Sequence, residues 1–391
     1  MTDFSDKALL PAGFSDVLAP DADFEASVLN RLLRCFSGHG YDRVEPPLIE
    51  FEDGLLTGIG AGLAEQTFRL MDPESQRMMA VRADITPQVA RIAQARLAKA
   101  PRPLRLSYAG QVLRVRGSQL RPERQFTQVG AELIGAAGPA ADAEVIAMAA
   151  GALIELGVAE LSCDLGLPAL VPAVSGDADP SLQAKLRQAL DRKDAAAVAG
   201  LGGELGEALT QTLAAMLSAA GPAAETLDAL GGLGLEGDAE DGRKLLADVV
   251  DRVRAARPDL KLTIDPVENR GFEYHTGVTF TFFAKGVRGE LGSGGRYAAN
   301  DDDANGGEPA TGFTLFMDTV LRALPAPVTA SRVFLPAGTP AEEAAKLRAK
   351  GWIAVASLDQ GADAETEAKR LACSHLLDGS KIKEIGKKKK G

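Results

Sequence analysis

Cysteine and histidine are scarce in this 391-residue chain, and positive charge is in deficit. The three cysteines, Cys35, Cys163 and Cys373, are far apart, and no pair has metal-ligand spacing. Neither a metal site nor a disulfide framework is expected, and the thiols read as buried or idle in a reducing cytoplasm. His39, His275 and His375 are the only histidines. Long apolar runs are missing too. The longest, VIAMAAGALI (Val145 to Ile154), lies between Glu144 and Glu155. It is too short to span a bilayer and reads as a buried helix. The start, MTDFSDKALL, has no basic stretch followed by an apolar one, so no signal peptide is expected. A formal charge of -11 speaks against a nucleic-acid binder, whose footprint is a net basic surface.

What is present is ordinary for a soluble protein: 46% apolar and 25% charged residues, in a length suited to two or three structural units. Phe24, Val28, Leu32, Leu33 and Phe36 have helical spacing, stopped by Gly38 and Gly40. YDRVEPPLIEFED reads as a strand running into the break at Pro46 and Pro47. QTFRLMDPESQRMMAVRAD reads as a hairpin turning at Asp72 to Ser75. A helix is predicted over Pro87 to Ala98, with Thr86 as its cap and Pro87 at its first position. LRLSYAGQVLRV and RQFTQVGAELIG read as two strands around a loop, followed by a helix over Ala140 to Leu156 and a strand at LSCDLG. Residues 167–257 are rich in Ala, Leu and Gly and poor in aromatics, the texture of a helical insertion. In KLTIDPVENRGFEYHTGVTFTFFAK, alternation puts Val278, Phe280 and Phe282 on one strand face. Gly312 to Leu324 reads as a closing helix, and residues 328–391 as a small α/β domain with a Lys-rich end.

Four segments concentrate polar groups in apolar, strand-like contexts: Arg82 to Thr86, Arg114 with Arg116, Gln128 to Glu132, and Arg270 to His275. Buried charges are costly unless paired, so such groups either share a pocket or lie on an exposed sheet face. Gln128 and Glu132 are four apart and point to one face of a strand. An acid and an amide there, with an arginine from another strand, suit a zwitterionic amino acid. Surface salt bridges on an exposed sheet are the competing reading.

Five stretches carry a family resemblance. GQVLRVRGSQLRPERQFTQVGAE (Gly110 to Glu132) is similar to motif 2 of class II aminoacyl-tRNA synthetases, the histidyl kind in particular. VRADIT, NRGFEYHTG and GSGGRY resemble histidine-site elements of the same family, and GFTLFMDT its motif 3. The resemblance spans roughly residues 8 to 325. It implies an α+β fold with a mostly antiparallel class II sheet flanked by helices, built from 1–166 and 258–327. It implies histidine-binding roles for Asp84, Thr86, Arg114, Gln128, Glu132, Arg270, Tyr274 and His275, the last standing where the family has a second Tyr. It also implies a homodimer through the first helix and strand.

The nucleotide half departs from the pattern. The family places an acid two residues after the motif 2 arginine, to accept from the adenine amino group. Here that position is Arg116. Motif 3 ends in an arginine that lies against ATP. Here Thr319 replaces it and Phe316 replaces a glycine. Each lost charge-stabilising contact is worth about 2–4 kcal/mol, together roughly three to six powers of ten in rate. The tail is also shorter than an anticodon-binding domain.

The branch of the family that fits is that of the ATP phosphoribosyltransferase regulatory subunits. That resemblance implies a non-catalytic chain without cofactor or metal. It would sense histidine and activate a short-form catalytic subunit within a hetero-oligomer, away from membranes and nucleic acid. An active histidyl-tRNA synthetase, a tRNA-independent histidine-activating enzyme, and a scaffold with an empty pocket are the alternatives.

Overall fold

The computed structural model describes residues 9–119, 121–176, 179–268, 275–300, 307–327, 330–361 and 363–385. The chain forms two compact units, 1–325 and 326–391. The larger is built on a nine-stranded sheet. Its strands are β1 (Asp42–Arg43), β5 (Leu104–Leu113), β6 (Gln125–Ile134), β7 (Leu161–Gly166), β8 (Gly221–Pro222), β9 (Lys261–Ile264), β10 (His275–Ala284), β11 (Gly292–Ala298) and β12 (Pro309–Phe316). The spatial order is β1-β5-β6-β12-β11-β10-β7-β9-β8. Only β1 with β5 and β7 with β9 pair in parallel. A separate three-stranded sheet holds β2 (Ile49–Phe51), β3 (Arg69–Met71) and β4 (Met78–Val81).

The apolar face of the large sheet packs on α1 (Asp21–Gly38), α3 (Pro139–Leu156) and α4 (Gly237–Ala256). Val28, Leu32 and Phe36 form the buried stripe of α1, and Phe36 meets Phe313 of β12 edge-on at 5.4 Å. VIAMAAGALI lies within α3, a helix buried on most of its circumference. Gly157 ends it with φ +104°, a left-handed cap that a residue with a Cβ adopts only at a cost. The opposite face of the sheet is covered by α2 (Thr86–Ala95), through Val89, Ala90 and Ala93. The site lies on this second face.

Two local expectations are corrected. The stretch from Gly312 is not helical at its start: Pro309–Phe316 is strand β12, and helix α5 runs over Met317–Ala323. All but the first residue of β12 are buried, so it has no polar alternation to distinguish it from a helix. The break expected at Pro46 and Pro47 is present, with β1 before it and β2 after it in different sheets. Thr86 is not a cap. The helix starts at Thr86 itself, and its backbone N–H is taken by Asp84 Oδ1 at 2.9 Å. The Thr86 hydroxyl is thereby left free for other work. Between Leu170 and Ala256 the chain is chiefly helical, but β8 adds a short strand at the edge of the large sheet.

The smaller unit is a four-stranded sheet in the order β14-β13-β15-β16, from β13 (Arg332–Leu335), β14 (Ile353–Ala356), β15 (His375–Asp378) and β16 (Lys381–Glu384). Helices α6 (Ala341–Ala349) and α7 (Ala364–Arg370) pack on it through Leu347 and Ala368.

Candidate functional site

Register in the antiparallel strands fixes which side chains meet. Gln128, Gly130 and Glu132 alternate onto one face of β6. Opposite them on β12 stand Phe316, Thr314 and Gly312, and on β5 Gly110, Tyr108 and Leu106. Glycine at 312 is a spatial requirement, because a Cβ there would lie 1.7 Å from Glu132 Oε2. Gly130 is similar, since a Cβ would lie 2.5 Å from the Tyr108 hydroxyl. These gaps let polar side chains lie along the sheet rather than stand away from it.

The resulting cavity is small, about 20 Å³ and so room for roughly one water molecule, and is lined by Thr86, Glu132, His275, Ser293, Tyr297 and Thr314, with glycine backbone between them. Glu132 is 1% exposed. Its Oε1 accepts from Thr86 Oγ1 at 3.0 Å and from the Tyr108 hydroxyl at 3.3 Å, and its Oε2 from the Tyr297 hydroxyl at 2.9 Å. Tyr108 also shares a 2.6 Å hydrogen bond with Thr314 Oγ1. Behind Thr86, Gln128 Nε2 donates to Asp84 Oδ2 at 2.8 Å, and Gln128 Oε1 accepts from the Ile85 N–H at 3.1 Å. Arg114 is partly buried. Its Nε donates to the Ala83 carbonyl at 3.4 Å, and its guanidinium lies 5.2 Å from the Phe126 ring centroid.

Burial sets the protonation of this pocket. Glu132 is pushed up to about 8, chiefly by desolvation, against the pull of the Tyr297 and Thr86 hydroxyls and with the Asp84 charge adding to the rise. Burial pushes His275 down to about 3, so it is neutral at ordinary pH. The Tyr108 hydroxyl is held far above its usual range, again by burial and by the Glu132 charge.

A second cluster lies beyond Phe316 on the same sheet. Arg121 Nε donates to Asp318 Oδ2 at 3.1 Å, and its guanidinium carbon sits 3.8 Å from the Phe316 ring centroid and 5.0 Å from that of Phe126. The two rings themselves meet edge-on at 6.1 Å. Thr319 is buried and accepts from Arg121 Nη2 and Arg322 Nη2. Arg116 is exposed and makes no hydrogen bond or ion pair among the described residues.

The histidyl-tRNA synthetase family model matches residues 13–320. The ATP phosphoribosyltransferase regulatory subunit of Paramagnetospirillum magneticum is 56% identical over 387 residues, covering 98% of this chain and all of that one. The chain belongs to the ATP phosphoribosyltransferase regulatory subunits. The relative of that name from Rhodospirillum centenum is 57% identical over 97% of this chain and 96% of its own length. A crystal structure of an ATP phosphoribosyltransferase regulatory subunit/histidyl-tRNA synthetase from Bacillus halodurans C superimposes with a TM-score of 0.81, covering 93% of this chain and 96% of that one. At 24% identity it speaks for the fold alone: a class II synthetase-like sheet flanked by helices.

For this regulatory-subunit chain, the residues singled out in the sequence divide into groups. Thr86, Glu132 and His275 line the cavity. Asp84 and Gln128 form the layer behind it, bonded to each other. Arg114 stands apart, beside Phe126. Arg270 and Tyr274 lie outside the described residues. Phe316 and Thr319 come together around Arg121, while Arg116 does not join them. Sequence reasoning missed Tyr108, Tyr297, Thr314 and Arg121. The register of β5 on β6 would have pointed to Tyr108, directly opposite Gly130, but register is not legible before the pairing is known.

Proposed function

We propose that this chain binds histidine in the Glu132 cavity and acts as the feedback sensor for the first step of histidine biosynthesis. In this reading it activates a separate short-form catalytic subunit, which joins ATP to phosphoribosyl pyrophosphate, and activates no amino acid itself. The observation that carries the reading is the contrast between the two halves of the site. The small cavity around Glu132 is lined by hydroxyl, carboxyl and imidazole groups. The neighbouring region is filled by Arg121, lying between Phe126 and Phe316 and paired with Asp318. The Arg121 guanidinium is committed to two aromatic rings and to Asp318 rather than offered to a nucleotide.

Regulation then follows from linkage: histidine inhibits to the extent that it binds the inhibited state of the complex more tightly than the active one. The complex works in the cytoplasm. No helix among the described residues is long and apolar enough to cross a membrane. A homodimer through the first helix and strand, which the resemblance implies, is supported by the exposed Leu48, Ile49 and Phe51 just after Pro47, apolar groups that association would cover.

The test is reconstitution with a short-form catalytic subunit. Phosphoribosyl-ATP formation should rise when this chain is added and fall again with histidine. Histidine-dependent exchange of pyrophosphate into ATP by this chain alone would make it an activating enzyme and overturn the proposal.

A further inference from the structure

The two edges of the small sheet are guarded differently. On one side, β16 carries Lys381, Lys383 and Glu384 in a strand of four residues. Charges on an edge strand keep other chains from adding to it. On the other side lies β14, and the stretch from Trp352 to Leu358 holds no charge and no proline. Among the described residues β14 pairs with β13 alone. Two large apolar side chains stand out from this edge: Ile353 is 43% exposed, and Leu358 is fully exposed.

The pairing with β13 decides which backbone groups are left over. The N–H groups of Ile353 and Ser357 donate to the Ser331 and Leu335 carbonyls at 3.1 and 2.9 Å. Alternation therefore turns the N–H and C=O of Ala354 and Ala356 the other way, off the edge of the sheet. The Trp352 N–H is not part of that row, because the Leu347 carbonyl takes it at 3.1 Å. A row of outward donors and acceptors fits one kind of partner, an extended chain.

We propose that β14 pairs antiparallel with β14 of a second copy of this chain, joining two four-stranded sheets into one of eight strands. The register that pairs every free group sets Ala354 of one copy opposite Ala356 of the other, each couple exchanging two hydrogen bonds. Val355 then faces its own counterpart across the two-fold axis, and Leu358 faces Trp352. Leu358, wholly exposed in the single chain, gains a half-buried ring as its cross-strand neighbour. The flanks carry their own complement. The chain is basic before the strand, at Lys346, Arg348 and Lys350, and acidic after it, at Asp359 and Glu365. An antiparallel copy brings the basic end of one strand to the acidic end of the other, whereas a parallel copy would set like charges side by side. The charged β16 blocks growth at the far edges, so the assembly closes at two copies through this surface rather than extending into a fibre. The edge is separate from the Leu48, Ile49 and Phe51 surface, and the inference does not depend on the histidine reading.

The experiment is sedimentation velocity of the full chain over a wide concentration range, with amide hydrogen exchange read at Ala356. Ala354→Pro removes an outward N–H and no bond to β13, so the small unit keeps its fold while the edge is blocked. Leu358→Asp alters only a fully exposed side chain and serves as the second variant if the proline variant does not fold. One short strand makes a small interface, so the association shows at high protein concentration. Its dissociation constant should rise about tenfold or more in either variant. Exchange at Ala356 should slow as the wild-type concentration rises and stay fast in the variants. Association through any other surface is common to all three proteins and cancels in the comparison. Identical association in wild type and variants, or fast exchange at wild-type Ala356 at every concentration, overturns the inference.

Discussion

Arg121 lies over the ring of Phe316, its guanidinium carbon 3.8 Å from the ring centroid, and is pinned there by Asp318 at 3.1 Å. Phe316 stands where the resemblance to motif 3 calls for a glycine. In this chain the side chain at that position belongs to a buried cluster with Phe126 and Arg121. The cation is no longer offered to solvent. It is shared between a π face and a carboxylate, both desolvated.

Truncating either partner should unfold the region rather than reopen a nucleotide site. Arg121→Ala removes the nearer of the two arginines paired with the largely buried Asp318, leaving Arg322 at 3.7 Å, at a cost of about 1–3 kcal/mol. Phe316→Ala removes the stacked ring at a similar cost of about 3–5 kcal/mol. Urea denaturation should show a lower midpoint for each. The double variant should lose less than the sum of the two, because both remove the same contact. Strict additivity would mean that the two side chains are energetically independent.

Gly312 gives a separate test of the pocket. An alanine Cβ there would sit 1.7 Å from Glu132 Oε2. The carboxyl group must then leave its place between Thr86 and Tyr297. Stability should fall by about 1–3 kcal/mol from overpacking, and histidine sensitivity of the reconstituted complex should be lost. Gly286→Ala, in a turn with open space around its Cβ position, is the control for sensitivity; its φ of +79° predicts a stability loss without loss of response.

The Asp84–Gln128 pair should matter for the effector without holding the fold together. Asp84→Ala removes the acceptor of Gln128 Nε2 and of the Thr86 N–H. The expected stability cost is about 1–3 kcal/mol, because the Gln128 amide is buried. Inhibition by histidine should weaken by tenfold or more, read from the histidine concentration giving half-inhibition. Unchanged inhibition in both Asp84→Ala and Glu132→Ala would remove the cavity from the regulatory mechanism.

Much of this was legible in the sequence, and the exceptions share a cause. Alternation of period two placed Gln128 and Glu132 on one face, and the helical stripe Val28, Leu32, Phe36 on another element. These signals are local. Strand β12 was misread because burial on both faces erased the alternation that marks a strand. Only the capping role of Thr86 was misread, because its hydroxyl could cap locally or bond Glu132, forty-six positions away, and the fold decides between them. Arg121 gave no signal at all. Its meaning depends on Phe126, Phe316 and Asp318 arriving from separate strands and a helix.

The same buried groups that shape the pocket predict how stability of the ligand-free chain varies with pH. Glu132 is raised from an ordinary carboxyl value near 4.5 to about 8 in the folded protein. Between those values the folded state binds the extra proton, so this group's contribution is complete below about pH 4.5 and is lost as pH rises through about 8. His275 has the opposite sign. Its folded value is depressed to about 3 from 6.5, so its contribution is present above 6.5 and lost as pH falls through about 3. The two slopes oppose each other between 4.5 and 6.5, and only Glu132 acts between 6.5 and 8. Unfolding free energy should therefore decline across that upper window, by at most roughly 1.4 kcal/mol per pH unit. Glu132→Gln should flatten the decline, and His275→Asn should leave it in place while flattening the acid side. Denaturation at fixed ionic strength from about pH 5 to about pH 9 reads both slopes. A wild-type profile that is level or rising between 6.5 and 8, with the Glu132→Gln profile parallel to it, would show that Glu132 is ionised in the folded chain and that the pocket holds a negative charge before any ligand arrives.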